Sequence, residues 1–153
     1  MSKTLLALIF ASFVVFGCSR EETKPAGDPE ERVVTYLKEN VTPGREVLVT
    51  RLMNTVFTEP EEQAAVKRLY DAVMEIPAFV ANSNAESGKI PSLMEITTHF
   101  NFRVPGTTEV LLRVLESDPR IPRFFERNAS GEITSVNVDA IRSAEKFRDH
   151  LKN

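Results

Sequence analysis

The stretch Ser92–Val138, SLMEITTHFNFRVPGTTEVLLRVLESDPRIPRFFERNASGEITSVNV, changes its hydrophobic period from helical to alternating, and that change decides the fold class. Ser92 and Glu95 have the spacing of a capping box, in which each side chain satisfies the other residue's backbone N–H, so a helix starts here. Leu93, Ile96 and Phe100 follow at i, i+3 and i+7, which predicts a helix over 92–101 with those residues inward. After Asn101–Gly106, Thr107 or Thr108 caps a second helix, 107–117, whose Leu111, Leu112, Val114 and Leu115 face the core until Asp118-Pro119 closes it. Phe124–Arg127 and Glu132–Val138 then read as two β segments around Asn128-Ala-Ser-Gly131, where the glycine can take a positive φ. Two helices followed by a hairpin over 121–138 predict an α+β, mostly helical fold.

Toward the N-terminus, Thr58 and Glu61 repeat the capping-box spacing before a helix over 59–76. Val66, Leu69, Tyr70, Val73 and Met74 share one face of it, a stop or kink is expected near Pro77, and Asn82–Lys89 reads as a polar loop. Residues 45–57 place Leu48, Leu52 and Val56 at helical spacing, although Val47-Leu48-Val49 also suits a strand. Asp28 as N-cap, Pro29 at the first position and Glu30 and Glu31 in the first turn open a further helix, with Val33, Val34, Tyr36 and Leu37 as its apolar stripe and Thr42-Pro43-Gly44 as its stop. At the other end Asp139 caps a last helix carrying Ile141, Ala144, Phe147 and Leu151. The order helix 59–76, helix 92–101, turn, helix 107–117, hairpin 121–138 resembles a winged-helix domain over about half the chain, with additional N-terminal helices. A small helical bundle with an appended hairpin has the same element order and stays open.

At 153 residues, with 42% hydrophobic and 27% charged residues, the chain suits one folded domain, placed at 29–153. Before it, Met-Ser-Lys3, the apolar run Leu5–Phe16 and Gly17-Cys18 have the layout of a cleavable export signal. Twelve residues, eleven of them apolar, fall short of the roughly 20 needed to span a bilayer. Val15-Phe16-Gly17-Cys18 resembles the lipobox of bacterial lipoproteins, with Phe16 in place of the usual small or aliphatic residue. That resemblance implies removal of residues 1–17, acylation of Cys18, and, because Ser19 rather than Asp follows, an outer-membrane location facing the periplasm. Several acyl chains hold a protein on a membrane where a single one does not. Residues 19–28 carry no large apolar side chain and read as a tether.

Candidate chemistry is sparse. The chain has a net charge of −3, and removing the signal takes away only Lys3, so a nucleic-acid partner is not expected. Helix 107–117 would be the groove-reading helix of a winged-helix nucleic-acid binder, yet it offers one Arg and two Glu. Arg103, Arg113, Arg120, Arg123 and Arg127 are interleaved with Glu109, Glu116, Asp118 and Glu126, the pattern of local ion pairs. Glu95 and His99 share a helix face at i, i+4, as either a surface pair in which Glu95 supports His99 or the start of a metal-assisted hydrolase site. Only His150 could add a further imidazole, and catalytic zinc wants three protein ligands, so neither metal nor cofactor is expected. Successive strand residues point to opposite faces, so one of Phe124 and Phe125 is expected outside, flanked by Arg123 and Arg127. An exposed aromatic between arginines is hot-spot composition, and the expected role is a non-enzymatic protein-binding or envelope-assembly module.

Overall fold

The computed structural model describes residues 27–151, with side chains through Glu145. Residues 1–26, including the export signal, Cys18 and most of the tether, lie outside the described residues, as do the side chains of Phe147, His150 and Leu151. The described part is mostly helical with one small antiparallel sheet. Helix α1 is Pro29–Asn40, and Asp28 caps it by accepting a hydrogen bond from the Glu30 amide at 2.9 Å. A short helical turn α2, Val49–Arg51, runs into a wider turn over Leu52–Val56, where the Phe57 amide bonds the Leu52 carbonyl five residues back. Helix α3 spans Pro60–Ser87, α4 Leu93–His99, α5 Thr107–Ser117 and α6 Val138–Leu151. Strands β1, Phe125–Arg127, and β2, Ile133–Val136, pair antiparallel with Phe125 opposite Val136 and a bulge between Glu126 and Arg127.

One buried cluster joins these elements. Val33, Val34 and Leu37 of α1 meet Val66, Leu69, Val73, Ile76 and Val80 of α3, and Leu111, Leu112 and Leu115 of α5 lie beneath both. Phe124, Phe125, Ile133 and Ile141 close the far side. The Ser92–Glu95 capping box forms as its spacing predicts, and the Leu93 amide also donates to the Glu132 carboxylate at 3.0 Å, fastening the hairpin to the start of α4.

Several expectations are corrected. Helix α3 does not stop at Pro77 but runs on to Ser87, so most of the expected 82–89 loop is helix. Pro77 is buried inside it, and the helix ends only at Gly88, whose left-handed φ of 69° turns the chain while its amide bonds the Asn84 carbonyl. Glu59, not Thr58, is the N-cap of α3, and no side chain caps that end. Helix α5 begins after Gly106, and neither Thr107 nor Thr108 caps it: both are buried, Thr107 donating to the Val104 carbonyl and Thr108 sharing a 2.6 Å hydrogen bond with Thr97. Asn137 rather than Asp139 caps α6, accepting from the Ala140 amide. Leu48 is exposed, because regular helix starts only at Val49.

Candidate functional site

The hairpin does not carry the expected exposed aromatic. Phe124 and Phe125 are both buried, with ring centroids 6.3 Å apart at 67°. β1 starts at Phe125, so Phe124 stands in the incoming loop, where strand alternation does not apply. Arg127 is engaged as well, its guanidinium forking onto the Glu116 carboxylate at 2.9 and 2.7 Å. Arg123 is exposed in the loop before β1. The four residues expected to form an outward patch therefore split: two belong to the core, one ties the hairpin to α5, and one faces solvent.

Glu95 and His99 share α4 but have different partners. The Glu95 carboxylate accepts from the Ser92 amide at 2.7 Å and the Ser92 hydroxyl at 2.9 Å and approaches Lys89 at 3.7 Å. The backbone hydrogen bond at Ser92 is the main reason its carboxyl titrates below the usual range. His99 stacks on Phe79 with centroids 3.8 Å apart and meets Phe100 edge-on. The expected support of His99 by Glu95 is thus replaced by a cap on one residue and an aromatic stack on the other. Among the described residues no group of three or more His, Cys, Asp or Glu could hold a metal ion.

On α5, Glu109, Arg113 and Glu116 are the exposed charged residues, and since Arg127 occupies the Glu116 carboxylate, its outward face is balanced between acid and base. Arg103 does not pair within its own segment but reaches across to Asp28 and Glu30 of α1. Arg120 pairs as its sequence neighbourhood suggests, bonding Asp118, and it also bonds Glu46. The Arg120 hydrogen bond holds the Asp118 carboxyl below its usual range and, with the Glu46 bond, raises the guanidinium further.

A groove missed in the sequence stands next to this Arg120 cluster. It holds about 710 Å³ and is walled by Tyr70 and Met74 of α3, Leu115 of α5, Ile121 and Phe124 of the loop before β1, and Ile141 of α6. The available volume falls within the few hundred to about 1,000 Å³ of ordinary ligand-binding clefts. Tyr70 and Met74, expected in the core, are 39% and 37% exposed here. The reason is that α3 has two apolar stripes. Val66, Leu69, Val73, Ile76 and Val80 form the buried one, while Tyr70, Met74 and Ala78 form a second, rotated toward α6, with the buried Pro77 between the two. No family model matches the chain, and neither does any of the curated proteins or solved structures compared with it. No described helix is long and apolar enough to cross a membrane.

Proposed function

We propose that the protein is a bacterial lipoprotein, acylated at Cys18 and held at the periplasmic face of the outer membrane, whose folded part is a non-enzymatic binding module for an apolar segment of another envelope protein. The observation that carries the binding role is the open groove beside Tyr70, Met74 and Ile121, an apolar surface that burial in the core does not account for. Methionine suits such a surface, since its flexible thioether adapts to differently shaped partners. Helices α4 and α5 with the hairpin are read as a winged-helix-like unit that serves as scaffold. Its hairpin is held down by Arg127–Glu116 and Glu132, and the lack of a basic excess on the outward face of α5 favours this reading over nucleic-acid binding. The anchor reading rests on Val15-Phe16-Gly17-Cys18 and the chain's single cysteine.

The two parts separate experimentally. In cells, Met74→Lys and Ile121→Lys are expected to abolish partner co-isolation while leaving the thermal midpoint and the membrane fraction unchanged. Cys18→Ser is expected to move the protein out of the membrane fraction, or to leave it as unprocessed precursor. Groove variants that still hold the partner overturn the binding role. A processed, membrane-bound Cys18→Ser protein overturns the anchor.

A further inference from the structure

The sequence carries two Asn-x-Ser/Thr triplets, Asn40-Val-Thr42 and Asn128-Ala-Ser130, which neither the anchor nor the groove uses. Such a triplet can accept an N-linked glycan where it stands on the surface of a secreted chain. The two differ in what the fold leaves available. Asn128 opens the turn between β1 and β2, its amide donating to the Glu132 carbonyl and its carbonyl accepting from the Gly131 amide, each at 3.0 Å. Its Oδ1 accepts from the Ser130 amide at 3.0 Å and from the Glu132 amide at 3.1 Å, an Asx turn that fixes the carboxamide. Nδ2 makes no hydrogen bond among the described residues, and neither does the Ser130 hydroxyl. Arg127 and Glu132 on either side of the turn tie the hairpin to α5 and α4, while Asn128, Ala129 and Ser130 are all exposed. Asn40, by contrast, ends α1, and its Nδ2 donates to the Tyr36 carbonyl at 2.8 Å. Pro43 follows its Thr42 and restricts the backbone there.

We propose that Asn128 accepts an N-linked glycan from a lipid pyrophosphate-linked oligosaccharide, and that Asn40 does not. In the transfer Nδ2 bonds to C1 of the sugar as the bond from C1 to the pyrophosphate oxygen breaks. The electron pair of that bond leaves with the lipid pyrophosphate, and Nδ2 gives up one proton to a base of the transferase. A carboxamide nitrogen is a weak nucleophile, because its lone pair is shared with the carbonyl. Two N–H donors on Oδ1 favour negative charge on that oxygen and so ease loss of the Nδ2 proton. The turn thus presents the nitrogen already oriented, with the unbonded Ser130 hydroxyl two residues on for the transferase to hold. Glu126, exposed two residues before, adds a carboxylate that an Arg or Lys of the transferase can grip. The site rests on the export reading of residues 1–17, and not on acylation of Cys18 or on the groove.

Mass spectrometry of the full-length protein, isolated from the cells that make it and digested to peptides, tests the assignment. The peptide covering Asn128 is expected to carry the added mass of one or more hexose or N-acetylhexosamine units, and the peptide covering Asn40 none. Asn128→Gln is expected to remove the glycan but also alters the turn. Ser130→Ala removes only a hydroxyl without a hydrogen bond, and it is expected to lose most of the glycan with the hairpin intact; Glu126→Gln is expected to lower the occupied fraction. An unmodified Asn128 peptide overturns the proposal, and the state of the N-terminus in the same sample shows which reading failed. A chain still carrying residues 1–17 was not exported, whereas a processed chain was exported and left bare. A glycan on Asn40, or one on Asn128 that neither Ser130→Ala nor Glu126→Gln lowers, overturns it as well.

Discussion

Phe124 and Phe125 show how two sequence neighbours both reach the core. The alternation rule applies to residues within a strand, and only Phe125 is within one; the loop rotates Phe124 toward α3 and α6. Removing either ring should therefore destabilise the fold, by about 3–5 kcal/mol for Phe→Ala in a core. Thermal melts of Phe124→Ala and Phe125→Ala check this, and an unmoved midpoint for either contradicts its buried placement. Glu95 makes the opposite kind of prediction, small and electrostatic. Its folded-state carboxyl titrates below the ordinary value, so its contribution is present at neutral pH and is lost as pH falls through the lowered value. Glu95→Gln should show a slightly lower midpoint at neutral pH and a shallower fall on acidification. Superimposable pH curves for the two proteins would remove the cap from the account. At this scale Ser92 and Glu95 were legible because the capping box is a local pattern, whereas the partners of Arg103 and Arg127 depend on how distant elements come together.

At the scale of the element, α3 carries the main lesson. Proline inside a helix removes one backbone hydrogen bond and usually ends or kinks it, yet Pro77 is buried and the helix continues past it by nearly three turns. Tertiary burial of Ile76, Val80 and Ala81 offsets the lost bond, an effect no local signal reveals. The real stop is Gly88, where φ is 69° and an added Cβ would meet nothing within 4 Å. Gly88→Ala should thus cost only the left-handed conformation, about 1–2 kcal/mol, in denaturant titration. At Gly131, also with positive φ, an added Cβ would lie 3.2 Å from the Glu109 carboxylate, the far end of an exposed side chain that can give way, so Gly131→Ala should cost about as much as Gly88→Ala. A clearly larger cost at Gly131 would show that the Glu109 side chain is held against the hairpin turn. The hairpin itself was legible because its turn and apolar run are contiguous. Helices α5 and α6 were legible in position but not in their caps, since Gly106 and Asn137 do that work one residue or more from the expected positions.

For the whole molecule, the mostly helical character and the hairpin could be read in advance, but neither the second half of α3 nor the candidate site could. Tyr70 and Met74 look like core residues in sequence because two neighbouring apolar stripes on one helix merge into a single broad face. Only the position of α6 and the loop 118–124 separates them, leaving one stripe buried and the other along the groove. Composition, with its single cysteine and sparse histidine, directs attention from catalytic constellations to surfaces, but the outward phenylalanine expected on the hairpin lies in the core. The most direct test is photo-crosslinking in intact cells, with a benzophenone side chain placed at position 74 or 121 in the groove, or at position 94, where Met94 is 72% exposed on another face. The account predicts one discrete, protease-sensitive adduct from positions 74 and 121 and none from 94. Equal labelling from all three positions, adducts to lipid alone, or no adduct from the groove would contradict it.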